Sequence, residues 1–131
     1  MKNSTILFSC LIALVSFIGF SCEKKSEELI FTEVEYGILG LDEQIVSITY
    51  NDASGNPVVV DDPSQFVNGS KKLSVSTKPF TAKMALLINN TTNDEKSYTI
   101  GILVNGDVMA IKNVYCSPSG MALGEVEFTV Q

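Results

Sequence analysis

The stretch SYTIGILVNGDVMAIKNVYC, residues 97 to 116, decides the fold class. Its first half alternates: Tyr98, Ile100, Ile102 and Val104 are apolar, Ser97, Thr99 and Gly101 between them are small or polar, and Leu103 alone breaks the pattern. Such a period of two puts one face of a strand on a core and the other toward water. Asn105-Gly106 then interrupts two apolar runs, and both residue types tolerate positive φ, so the pair predicts a tight hairpin. Val108 to Tyr115 is the returning strand.

The same period continues outward in both directions. Thr81 to Asn89 alternates through Ala82, Met84, Leu86 and Ile88. Gly124 to Gln131 places Val126, Phe128 and Val130 inward against Glu125, Glu127 and Thr129 outward. Lys72 to Thr77 carries Leu73 and Val75, Gln44 to Asn51 carries Val46, Ile48 and Tyr50, and Ile30 to Ile38 carries Phe31, Val34 and Tyr36. Pro57 to Val60 is a short apolar strand, and the polar clusters 51–57 and 91–95 are turns. No segment has helical spacing. Seven or eight short strands in one domain, residues 29–131, predict an all-β, antiparallel, immunoglobulin-like β-sandwich, with a small barrel as the second arrangement. The Cys…Trp…Cys centre of true immunoglobulin domains is missing, since there is no Trp.

The N-terminus has a different logic. Lys2 precedes an apolar run from Ile6 to Phe20, which is the layout of an export signal. A membrane-spanning helix needs roughly 20 apolar residues, and this run is shorter and contains Ser9, Ser16 and Gly19. It ends at Gly19-Phe20-Ser21-Cys22, which resembles the lipobox of bacterial lipoproteins. The resemblance implies cleavage after residue 21, lipidation of Cys22 and anchoring to a membrane, with residues 22–28 as a charged tether. Two or more acyl chains hold stably, where one holds only reversibly. The expected location is the envelope of a Gram-negative bacterium at the outer membrane, on its periplasmic face or at the cell surface.

Composition narrows the chemistry. The chain has 15 acidic against 9 basic residues, no His and no Trp, and every basic residue is Lys. Without His, neither Ser-His-Asp nor Cys-His catalysis nor His-ligated zinc can be assembled. Without Arg, bidentate recognition of phosphate is lost, and an acidic surface repels a nucleic-acid backbone. The expectation is a protein that is not an enzyme, needs no cofactor and binds no nucleic acid. Of three cysteines, Cys10 lies in the signal and Cys22 at the lipid site, so Cys116 has no partner for an internal disulfide and reads as a small buried hydrophobe.

SITYNDASGNP (47–57), ILVNGDVM (102–109) and a closing strand after Ser119-Gly120 occur in an order similar to that of the MmpS family of small exported β-sandwich proteins. The resemblance covers roughly residues 34–131 and implies the fold, together with an accessory role beside transporters that export lipids or siderophores. Where that family has Leu-Pro-Trp, this chain has Pro63-Ser64-Gln65-Phe66, so Phe66 is placed as the plug at one end of the sandwich. The family's cysteine pair has no match here, and its transmembrane anchor is replaced by the lipobox.

Candidate sites are few. Asn51, Asp52, Ser54 and Asn56 gather oxygen atoms in one loop, as a calcium site requires, but they are also what a turn uses to satisfy its own backbone. Asp61 and Asp62 open the next loop ahead of Phe66. These six positions, Asn51, Asp52, Asn56, Asp61, Asp62 and Phe66, are the expected partner-facing residues, and the loops 51–57, 61–70 and 117–123 the expected partner-facing segments. The leading functional reading is a lipid-anchored envelope module that meets an unidentified envelope protein. A small-ligand or glycan-binding lipoprotein requires at least two of Tyr36, Tyr50, Tyr98 and Tyr115 exposed together. A carboxylate hydrolase requires two acids converging in a cleft within about 5–10 Å.

Overall fold

The structure, a computed structural model, describes residues 30–131. Eight strands follow in order: β1 (Thr32–Leu39), β2 (Ile45–Asn51), β3 (Pro57–Val60), β4 (Ser70–Val75), β5 (Phe80–Asn89), β6 (Lys96–Val104), β7 (Asp107–Cys116) and β8 (Met121–Val130). A single 3-10 turn, Pro63–Gln65, lies between β3 and β4. All neighbouring strands are antiparallel, and they form two four-stranded sheets, β4-β1-β6-β7 (sheet A) and β3-β2-β5-β8 (sheet B). The expected β-sandwich is therefore the fold.

Alternation builds the core. Val34, Tyr36 and Ile38 from β1 and Tyr98, Ile100 and Ile102 from β6 point from sheet A toward Ala82, Met84, Leu86 and Ile88 of β5 and Val126 and Val130 of β8. Each fully buried Val, Leu, Ile, Phe or Met side chain contributes about 1.5–3 kcal/mol, which makes the facing of two sheets stable where one sheet alone is not. The hairpin at Asn105-Gly106 forms as its residue types demand, with φ of 50° and 87°.

Three details depart from the alternation. The register of β2 against β5 shifts between Ile45 and Ser47, so Val46 is extruded and 44% exposed, and Ile45 takes the core position. Phe31 is also turned outward, and Ile38 completes the inward face of β1 in its place. In β7 the ladder shifts between its partners Ile102 and Leu103, leaving Met109 without an opposite residue. Beyond that bulge Val108, Met109 and Ile111 all remain exposed.

Two edges of the sandwich are managed differently. Beside β7 and β8, Val114 packs directly over Gly124, whose missing side chain is the space Val114 occupies. On the other side, segment 61–69 crosses from β3 to β4, and Phe66 enters the core there, 2% exposed. Its ring meets Tyr50 edge-on, with centroids 5.8 Å apart, and Tyr50 in turn tilts against Tyr36 at 5.4 Å. Phe66 thus closes the side of the sandwich, whereas the sequence reading placed it at an end.

Burial also shapes the titration of two tyrosines. The Tyr36 hydroxyl donates to the Asn51 carbonyl at 2.8 Å, and burial pushes its pKa up to about 12. Burial, then the hydrogen bond that Tyr98 donates to Asp42 Oδ1 at 2.8 Å, raises the Tyr98 phenol further. A phenol in the unfolded chain titrates near pH 10. Below that pH both states are neutral and stability is unaffected. As pH rises from about 10 toward 12, the unfolded chain loses protons that the folded chain keeps, and stability falls. The expected result is a melting temperature that is level to about pH 9.5 and then declines steadily, with a shallower decline in Tyr36→Phe. Thermal melts between pH 8 and 11.5 check it, and a level curve throughout would refute it.

Candidate docking face

The outer surfaces of the two sheets have different chemistry. On sheet B, Lys83 meets Glu125 at 3.0 Å, and Thr81 and Thr129 share a hydrogen bond at 3.2 Å, while Met121 and Leu123 of β8, Val46 of β2 and Val59 of β3 are its exposed apolar residues. On sheet A, the positions facing outward from β1, β6 and β7 include Leu39, Leu103, Val108 and Ile111, of which Leu39 is 70% and Ile111 66% exposed. Between them Gly37 of β1 and Gly101 of β6 stand directly opposite each other. Two glycines side by side in central strands remove the side chains that would fill the outer face. The result is an apolar trench of about 270 Å³ floored by backbone.

A glycine inside a strand weakens it and commonly marks the close approach of a ligand or of another backbone. A Cβ added at Gly37 would meet only Leu103, at 3.8 Å, so the strand does not require glycine there on steric grounds. The β7 bulge at Met109 lies beside the trench, and it turns Val108 against Leu103. The trench's polar margin is on β1 and β4. There Lys72 lies 3.5 Å from Glu33 and 3.8 Å from Glu35, and Ser70 Oγ donates to Glu35. These two acids share one exposed margin and a common lysine; they do not converge in a cleft as a hydrolytic pair would.

Size separates the occupants this face can take. Pockets that enclose a small ligand measure about 300–1,000 Å³ and bury most of it. A shallower trench walled by aliphatic side chains instead suits apolar side chains carried by another protein surface.

The residues singled out in the sequence lie elsewhere, and the fold does not bring them together. Asn51, Asp52 and Asn56 occupy the β2–β3 turn, at the end of the sandwich that also holds the start of β1 and the end of β8. Asp52 Oδ1 accepts from the backbone N–H groups of Ser54 at 2.9 Å and Asn56 at 3.0 Å, and Asn51 Nδ2 donates to the Thr81 carbonyl at 2.9 Å. These side chains hold their own turn and anchor it to β5. Asp61 and Asp62 begin the lateral crossing, where Asp62 Oδ1 accepts from the Ser64 N–H at 3.0 Å and caps the 3-10 turn. Hydrogen bonds from the Ser64 side chain and backbone hold the Asp62 carboxyl below its ordinary value. Among the described residues no cluster of three acidic or cysteine side chains is placed to hold a metal. A second depression, of about 530 Å³, lies between the β2–β3 turn and segment 74–81, lined by hydroxyls such as Ser54, Ser76 and Thr77 and by no ionisable side chain.

The loop 117–123 is at the opposite end. There Asn90, buried, donates to the carbonyls of Asp94, Cys116 and Ser117 and accepts from Thr92, while Gln44 accepts from Thr91. Cys116 is buried as expected, with its Sγ 3.3 Å from the Gly120 carbonyl. Tyr36, Tyr50 and Tyr98 are core residues, and Tyr115 alone is exposed, at 62%. The paired tyrosine platform of a glycan site is thus absent from the four tyrosines. Cys22 lies outside the described residues. Among the described residues no helix is long and apolar enough to cross a membrane.

Compared with known proteins, the chain matches no family model, and no curated protein is significantly similar to it. The trench therefore stands on its own geometry. Sequence reasoning missed it because Leu103, Val108 and Ile111 look like core residues in a linear pattern. The available signal was Gly37 and Gly101, each at an outward position of a central strand.

Proposed function

We propose that this protein is a non-enzymatic, lipid-anchored module of the bacterial cell envelope, which presents the outer face of sheet A to another protein surface. The observation that carries the reading is the glycine-floored apolar trench, an unfilled hollow in the outer face of sheet A. Apolar patches larger than a few hundred Å² are uncommon on monomers and mark sites of interaction. The lipobox-like Gly19-Phe20-Ser21-Cys22 supports the anchor, and the charged residues after it support a tether that keeps the body near the membrane. The MmpS-like turn motifs support an accessory role in an exported assembly over a catalytic one.

The test is Cys22→Ala in the full chain expressed in a Gram-negative host. Wild type is expected in the membrane fraction, with an intact mass showing residues 1–21 removed and a multi-acyl adduct on Cys22. The variant is expected to lose the adduct and most of its membrane partitioning. Wild type without an adduct, recovered as a soluble protein, would overturn the anchor.

A further inference from the structure

We infer that the free edge of β8 is a strand-addition site, which takes an extended segment of another protein with lysine or arginine at two alternating positions. The inference concerns sheet B and stands whether or not the anchored-module reading holds.

A sheet edge presents unpaired N–H and C=O groups, and proteins commonly blunt it. Three of the four edges here are blunted. β3 has four residues and opens on Pro57, which has no N–H. β4 has six, and its Lys72 already lies against Glu33 and Glu35. β7 is broken by the bulge at Met109, and Lys112, opposite buried Ile100, carries a charge on the core side of the strand. β8 has none of these devices. All ten of its residues pair with β5 in one register, without a bulge or a proline.

The backbone of β5 shows which groups of β8 are left free. The Asn89 N–H donates to the Gln44 carbonyl on the β2 side, and the Asn90 N–H to the Gly120 carbonyl on the β8 side. Backbone groups of successive strand residues point to opposite sides, so Ala82, Met84 and Leu86 bond toward β8 and satisfy Phe128, Val126 and Gly124. Leu123, Glu125, Glu127 and Thr129 therefore turn their N–H and C=O groups away from β5, toward the open edge. β7 does not cover that edge. Val114 occupies the space of a Cβ on Gly124, which is on the inner face of β8.

Charge selects the occupant. Glu125 meets Lys83 at 3.0 Å, and Glu127 is in no ion pair among the described residues. A strand added along β8 sets two alternating side chains opposite these glutamates, where unlike charges stabilise and like charges destabilise. Lysine or arginine fits both positions. The residue between them lies beside Val126 and Phe128 on the inner face and is apolar. A second copy of β8 does not fit. Under a two-fold axis, both of its longest registers put glutamate opposite glutamate.

The experiment uses the full chain in neutral detergent micelles and a capped heptapeptide with lysine at its third and fifth positions and valine or threonine elsewhere. The readout is hydrogen–deuterium exchange resolved to single amides. The peptide is expected to slow exchange about tenfold at Leu123, Glu125, Glu127 and Thr129, and to leave Ile111 and Asn113 of β7 unchanged. The same peptide with glutamate replacing both lysines is expected to give no slowing. In the double variant Glu125→Lys, Glu127→Lys the preference is expected to reverse, and because both residues are exposed the fold tolerates the change. No slowing at the four amides, or equal slowing by the two peptides, would overturn the inference. So would slowing without peptide that grows with protein concentration, since β8 would then be pairing with β8.

Discussion

Phe66→Ala is expected to destabilise the domain by about 3–5 kcal/mol, the range for truncating a buried aromatic ring. Phe66 is 2% exposed and enters from an irregular segment with no strand on either side of it. The neighbouring backbone is pinned by Ile38 N–H to Gly69 O at 2.7 Å and by Gly69 N–H to Phe66 O at 3.0 Å, so segment 61–69 cannot collapse into the space left behind. The cavity would open against Tyr50, whose ring is 5.8 Å away, and would loosen the Tyr36–Tyr50 contact behind it. For a domain of this size each kcal/mol lowers the melting temperature by about 4–8 °C, so a loss of at least about 12 °C is expected. Urea unfolding is the check: the midpoint should fall with little change in slope. Val67→Ala is the control, since Val67 is next in sequence but 70% exposed, and it should change stability by less than about 0.5 kcal/mol. Equal effects from the two would refute the assignment of Phe66 as the lateral closure.

Gly69→Ala is expected to cost about 2–5 kcal/mol, from two causes that add. Gly69 has φ of 73°, a left-handed conformation that costs an L-residue about 1–2 kcal/mol. The new Cβ would also run into the Ile38 carbonyl oxygen, a backbone atom that cannot swing aside as a flexible side chain would. Relief would require moving β1 or breaking the bond between Ile38 N–H and Gly69 O. Overpacking of this kind typically adds about 1–3 kcal/mol. Gly55 and Gly106 supply the comparison, at φ of 82° and 87° with no atom near an added Cβ. Gly55→Ala should therefore show only the conformational part, about 1–2 kcal/mol. If Gly69→Ala and Gly55→Ala were equally stable by chemical denaturation, the close approach at Ile38 would not exist.

Much of the fold was legible in the sequence. The inward sets of β5, β6 and β8 follow from alternation alone, because a side-chain period of two leaves no other way to bury Ala82, Met84, Leu86 and Ile88 together. The hairpin at 105–106 follows from the need for positive φ at both positions. Single lapses occurred where a bulge changed the phase. Val46 reads as core by counting, yet the register shift beside it hands that role to Ile45.

The expected loop sites were less legible. Asn51, Asp52, Asn56 and Asp62 are turn and cap formers in the structure, since a short polar side chain beside free backbone N–H groups bonds locally first. A linear sequence does not distinguish a carboxylate that satisfies its own turn from one left free for a ligand.

The division between sequence and tertiary structure follows from range. Local chemistry, written in adjacent residues, determined the strands, their inward faces, the tight turns, the classes of catalysis excluded by missing His and Arg, and the expectation of a lipid at Cys22. Which strands became neighbours depended on long-range pairing. Only that pairing set Gly37 opposite Gly101 across 64 positions of chain, left the outer face of sheet A bare, and put Phe66 into the open side of the sandwich. A surface built from strands distant in sequence has no signature in any one of them. The trench belongs to the assembled sheet.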